Sequence, residues 1–164
     1  MARTIHTARF FKPSALYTNK AALTFMEDIL NKENSSPREL GYKQIVVREN
    51  QATPSRTERE TLKEKWNAEI YSMLDVQDNL FYAMDCPHHR GLHVWEDAFI
   101  VEATEKDTGD PLEPGQKGML TITNLFAEAT PLIRYQTDVE VTLTLDKCPC
   151  GRTHARIIPT NYNE

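Results

Sequence analysis

Two short segments, Cys86-Pro-His-His-Arg-Gly-Leu-His93 and Cys148-Pro-Cys-Gly-Arg-Thr-His154, hold all three cysteines and four of the five histidines of this 164-residue chain. Thiolate and imidazole are the donors that zinc prefers, and four of them close a tetrahedral structural site. If the two segments share one ion, the fold must carry two turn-rich stretches about sixty residues apart to the same place. One disulfide would leave a thiol over, and Cys148 and Cys150 are too close in sequence to pair without strain. Metal-bound thiolates in a reducing cytoplasm are the expectation, weighed against plain thiols with incidental histidines beside them.

The length fits one domain, or two small lobes, with a self-sufficient core. An apolar fraction of 40% and a charged fraction of 26% are ordinary for a globular chain. The formal charge of −5 gives no electrostatic reason to expect nucleic acid or an anionic membrane as partner. No apolar run approaches the roughly 20 residues needed to cross a bilayer, and Met1 to Phe11 lacks the apolar core of a signal peptide.

Residues 1–14 carry little pattern and read as an arm. Ala22, Phe25, Met26, Ile29 and Leu30 recur at helical spacing and predict a helix over 21–31. Gln44-Ile-Val-Val47 reads as a buried strand. Ser55, with Glu58 three residues on, signals the N-cap of a helix from Arg56 to Trp66. Its charge run, Arg56 to Lys65, fits a solvated face. Glu69 to Leu74 reads as the next strand, so the first half predicts a parallel pair joined by a crossover helix. The second half changes character. Strand-like runs at 98–103, 118–123 and 139–145, with turn signals at Thr108-Gly-Asp110 and Glu113-Pro-Gly115, predict a small antiparallel barrel or sandwich. The expected layout is an arm (1–14), an αβ lobe (15–85), a metal-clipped antiparallel lobe (86–158) and a polar tail (159–164).

Four blocks occur in order: Gly91-Leu-His-Val-Trp-Glu-Asp97, Asp107-Thr-Gly-Asp-Pro-Leu-Glu-Pro-Gly-Gln-Lys-Gly118, Ala129-Thr-Pro-Leu-Ile-Arg-Tyr135 and Cys148-Pro-Cys-Gly-Arg-Thr-His154. Together they resemble the phenylacetate–coenzyme A ligase family of AMP-forming acyl-adenylate enzymes. The resemblance covers about residues 15–158 and implies the second half of that family's large N-terminal domain. It also implies a zinc set made of Cys86, His93, Cys148 and Cys150, with His88, His89 and His154 as competing imidazoles. A site closed by four protein donors leaves no position for water and is structural.

The nucleotide machinery that the resemblance implies is degraded. The six glycines are spread along the chain, and none forms the Gly-rich phosphate loop. The block resembling Gly-Ala-Glu-Pro falls on Asn50-Gln-Ala-Thr53, and the one resembling Tyr-Gly-Leu-Thr-Glu on Leu74-Asp-Val-Gln-Asp78. The ribose block falls on Tyr135-Gln-Thr-Asp-Val139, which puts Val139 at the carboxylate position. Asp138 is one residue early, and in a strand that slip turns the side chain to the other face. The chain also ends at Glu164, about where the resemblance places the hinge to a lysine-bearing domain. Asp78 (for magnesium), Arg134, Tyr135 and Asp138 are the residues left to contact a nucleotide. The Trp95-Glu-Asp97 landmark is assigned to strand entry.

The expectation is a non-catalytic, zinc-stabilised module that serves as a subunit or scaffold. Another chain, or a second copy, would cover the face left by the missing upstream lobe. The rival is one half of a split ligase that uses ATP and magnesium with a partner chain. A nucleotide or acyl-CoA sensor is a further alternative.

Overall fold

A computed structural model describes residues 2–76, 81–129 and 131–163. Its strands form one sheet. Helix α1 (Ala2–Phe11) leads into strand β1 (Ala15–Thr18), helix α2 (Lys20–Lys32), a 3-10 turn (Pro37–Leu40), β2 (Gln44–Glu49), helix α3 (Arg56–Trp66) and β3 (Glu69–Val76). Six strands follow: β4 (Phe81–Met84), β5 (Leu92–Val94), β6 (Phe99–Thr104), β7 (Lys117–Asn124), β8 (Tyr135–Thr144) and β9 (Arg156–Pro159). The spatial order is β1-β2-β3-β4-β5-β9-β8-β7-β6; β1, β2 and β3 are parallel and every other pairing is antiparallel.

The first half follows its local signals. Ser55 accepts from the Glu58 N–H, and the Glu58 carboxylate accepts from the Ser55 N–H, so α3 starts with a reciprocal cap. Asn67 ends it in the left-handed conformation. In α2 the buried stripe runs through Leu23, Met26 and Leu30, while Phe25, expected inside, is half exposed. Strand side chains alternate between faces, so Ile45, Val47 and Ile70 point to one side. There they form a core with Leu23, Met26, Leu30 and Trp66 from the helices and Ile5 and Ala8 from α1. Residues 2–11 are therefore a docked helix and not a patternless arm. Its cue was faint, because only those two side chains face inward and Phe10 and Phe11 lie exposed.

Strand β3 joins two cores. Ile70 belongs to the helical one, while Leu74 and Val76 belong to a second with Phe81, Leu92, Val94, Phe99, Leu120, Ile122, Val139, Val141 and Ile157. The antiparallel half accordingly continues the same sheet while carrying a core of its own. No hydrogen-bonded closure makes it a barrel: β1 and β6 are its two edges. It does curl. Five steps of strand order separate β4 from β6, about 24 Å in a flat sheet, yet the Phe81 and Phe99 rings lie 5.0 Å apart. The expected tail also folds back. Tyr162 is fully buried beneath the Arg59 guanidinium, 4.3 Å from its ring centroid, and Asn161 donates to the Thr53 carbonyl at 2.5 Å.

Candidate metal centre

Each half of the cluster rests on a tight turn that leads into a short strand. After β4, the His89 N–H donates to the Cys86 carbonyl at 2.9 Å, and His89 takes a positive φ of 47°. This reversal returns the chain into β5, where Leu92 and Val94 face the second core and His93 faces the other way. After β8, the Gly151 N–H donates to the Cys148 carbonyl at 3.0 Å, with Gly151 at φ 87°, the left-handed region that glycine enters without a Cβ penalty. Pairing then superimposes the two turns: His93 lies opposite Met84 on one side and Arg156 on the other, and Arg156 also pairs with Thr144.

The result is a four-donor cluster. One ligand atom from each of Cys86, His93, Cys148 and Cys150 lies within 4.8 Å of all the others. Cys86 Sγ and Cys148 Sγ are 3.7 Å apart, and Cys150 Sγ is 3.4 Å from His93 Nε2. Zinc bonds of about 2.3 Å to sulfur and 2.0 Å to nitrogen put tetrahedral donors about 3.5–3.8 Å apart. Donor chemistry and spacing therefore fit a metal ion such as zinc. Of the other imidazoles, His89 donates through Nδ1 to Asp85 Oδ2 at 2.7 Å, and His88 and His154 are exposed; none joins the cluster.

Burial shapes the donors. It pushes the Cys86 thiol up to about 11. It also depresses His93 to about 4, with the nearby Arg152 and Arg156 charges adding to the effect, so the ring is a neutral ligand at neutral pH. The Arg152 N–H pulls the Cys150 thiol down. Buried thiols with raised values gain most from a cation that accepts their charge. Three thiolates and a divalent ion would leave one net negative charge, and Arg156, 5% exposed, lies beside the cluster in register. Its guanidinium donates to the Arg90 carbonyl and, at 2.8 Å, to the Asp146 carbonyl, so it ties the two ligand loops together. That clamp had no sequence signal, because it depends on the long-range pairing of β5 with β9.

Of the residues expected on the nucleotide side, Arg134 and Tyr135 make contacts within the fold. Arg134, at φ 49°, donates to Glu102 at 3.0 Å and to the Gly109 carbonyl at 2.8 Å. Tyr135 packs partly buried against the second core. Asp138 is exposed on β8 while Val139 is 4% exposed in that core, so the two point to opposite faces. Asp78 lies outside the described residues. No helix among those described is long and apolar enough to cross a membrane.

This arrangement of sheet and helices is that of part of an adenylate-forming ligase. A crystal structure of 2-hydroxyisobutyryl-CoA ligase in an open conformation, in complex with 2-HIB-AMP and CoA, superposes with a TM-score of 0.83 at 21% identity; the match covers 95% of this chain and 35% of that one. No family model matches the sequence. Among curated proteins, phenylacetate-coenzyme A ligase of Thermus thermophilus is 32% identical over 91% of this chain and 34% of its own length. The Pseudomonas putida ligase of the same name is 28% identical over 81% of this chain and 30% of its own length. The chain is a homologue of phenylacetate-coenzyme A ligase that spans about a third of the length of these relatives.

Proposed function

We propose that this chain is a non-catalytic, zinc-stabilised phenylacetate-CoA-ligase-like module that works as a subunit or scaffold with another protein. The carrying observation is Val139. At the position where the resemblance calls for a carboxylate to hold a ribose, this chain buries an apolar side chain in its core and turns the neighbouring Asp138 to solvent. Restoring the acid would put a charge in the core. The lost glycine and acid at 50–53 support the same reading. The four candidate metal donors, by contrast, are all present and gathered. Four protein donors leave no open position, so the ion would be structural and its binding energy part of folding.

The partner reading rests on the parallel strands. Such sheets are normally covered on both faces. Here α1, α2 and α3 pack on the Ile45–Ile70 face, while on the other Tyr17 is 56% exposed and Val46 and Tyr71 are half-buried. Strand β1 is also an open edge. A partner chain, or a second copy, would dock on this face. The split ligase is the competing reading, favoured by a fold that superposes over 95% of this chain on a CoA ligase in complex with an acyl-AMP and CoA.

Metal analysis and pull-down from the native source test the proposal together. About one zinc per chain is expected, lost in Cys86→Ser and kept in His154→Ala, together with a co-purifying protein. ATP–pyrophosphate exchange with phenylacetate, appearing when that protein is mixed in, would replace the non-catalytic reading with the split ligase. Protein never exposed to chelator that holds less than about half an equivalent would remove the zinc.

A further inference from the structure

Between α3, the turn after β4 and the loop after β8 lies a cleft of about 780 Å³. It sits at the start of β3, where Glu69 and Ile70 line it, at the other end of that strand from the 74–78 block. Its walls carry Arg56, Arg59, Lys63, Arg90, Lys147 and Arg156 against only Glu60, Glu69 and Asp146, in a chain whose formal charge is −5. Two of the acids are already matched: Arg56 with Glu60 at 3.0 Å and Lys63 with Glu69 at 2.6 Å. Four cations then face one acid.

Two of the four are buried. Arg59 is 6% exposed and donates to the Pro54 and Tyr162 carbonyls at 2.6 and 3.1 Å. Arg156 is 5% exposed and, as described, donates only to carbonyls; its Nε is buried with no acceptor at all. Neither makes an ion pair with a carboxylate among the described residues: Arg59 rests on the Tyr162 ring, and Arg156 lies beside the thiol cluster, whose charge would answer only part of its fork. Buried charge is costly unless an opposite charge answers it. A guanidinium is also the side chain best shaped to grip an oxyanion with two parallel donors.

We infer that this cleft binds a small phosphorylated anion. A single carboxylate would leave most of the excess charge unanswered, whereas linked phosphates carry several charges on one compact group. The volume lies in the range of small-molecule sites, roughly 300–1,000 Å³. Because Arg90 belongs to one ligand turn and Lys147 to the loop that carries the other, an anion held between them and α3 also braces the metal centre.

Calorimetry on the metal-loaded chain tests this, with inorganic pyrophosphate, inorganic phosphate and citrate as probes. Pyrophosphate is expected to bind more tightly than phosphate, and both to weaken as salt is raised. The double variant Arg90→Ala/Lys147→Ala, both exposed positions, should weaken pyrophosphate by about fivefold or more. Lys12→Ala/Lys32→Ala, outside the cleft, should leave it unchanged. Circular dichroism and metal content identify any variant that has lost the fold. A folded chain that gives no heat with pyrophosphate overturns the inference, and so does binding that survives the Arg90/Lys147 change. Citrate binding as tightly as pyrophosphate would overturn the phosphate assignment.

Discussion

Gly91 shows how little room the metal centre leaves its supports. It sits at φ 106°, and a Cβ there would come within 3.0 Å of Ile158 Cγ1 and 3.1 Å of the Ile157 carbonyl oxygen. Both the backbone angle and the close approach of β9 therefore require glycine. Gly91→Ala should cost about 1–3 kcal/mol in urea unfolding and lower the zinc content, because β5 can no longer bring His93 against β9. That these four side chains gather was legible in the sequence because cysteine is rare in the chain and clustered. Arg156 was not, since an arginine between Ala155 and Ile157 looks like any other until β9 is known to lie beside β5.

At the level of elements, α3 is the part whose cause is most local. Its reciprocal cap predicts that Ser55→Ala costs about 1 kcal/mol in chemical denaturation. The Glu58 carboxyl is held below its ordinary 4.5, first by the hydrogen bond from Lys20 and then by the Ser55 N–H. A depressed carboxyl stabilises the fold above its unfolded pKa, and the contribution is lost as pH falls through the lowered folded value. Glu58→Gln should therefore flatten that part of the acid limb in a pH series of melting temperatures, while wild type loses stability as pH drops below about 4.5. The limits of α3 and the crossover between β2 and β3 were readable because caps and helical spacing act over a few residues. Strands β4, β5 and β9 were not. Each has three or four residues, too few to show alternation, and one of the two partners of β5 is β9, more than sixty positions away. Closure was out of reach for the same reason, since alternation marks a strand but not whether the last edge meets the first; among the described residues no closed barrel is shown.

Taken whole, the sheet is unevenly supported along its width. Strands β2 and β3 share six paired positions, and β6 and β7 also share six, whereas β4 and β5 share two and β5 and β9 share two. The four candidate donors lie across that thin stretch, so a bound ion would take the place of ladder bonds the short strands cannot supply. Hydrogen exchange on chelated protein should show amides of 92–94 and 156–158 opening early while 44–49 and 69–74 stay protected. The metal-loaded chain should melt in one transition and the stripped chain in two; a single transition in both would show that the ion is not what holds the middle together. Supply of the ion would then govern turnover. In a cell short of it, proteases would meet the loosened seam first and release a helical piece still folded around Trp66.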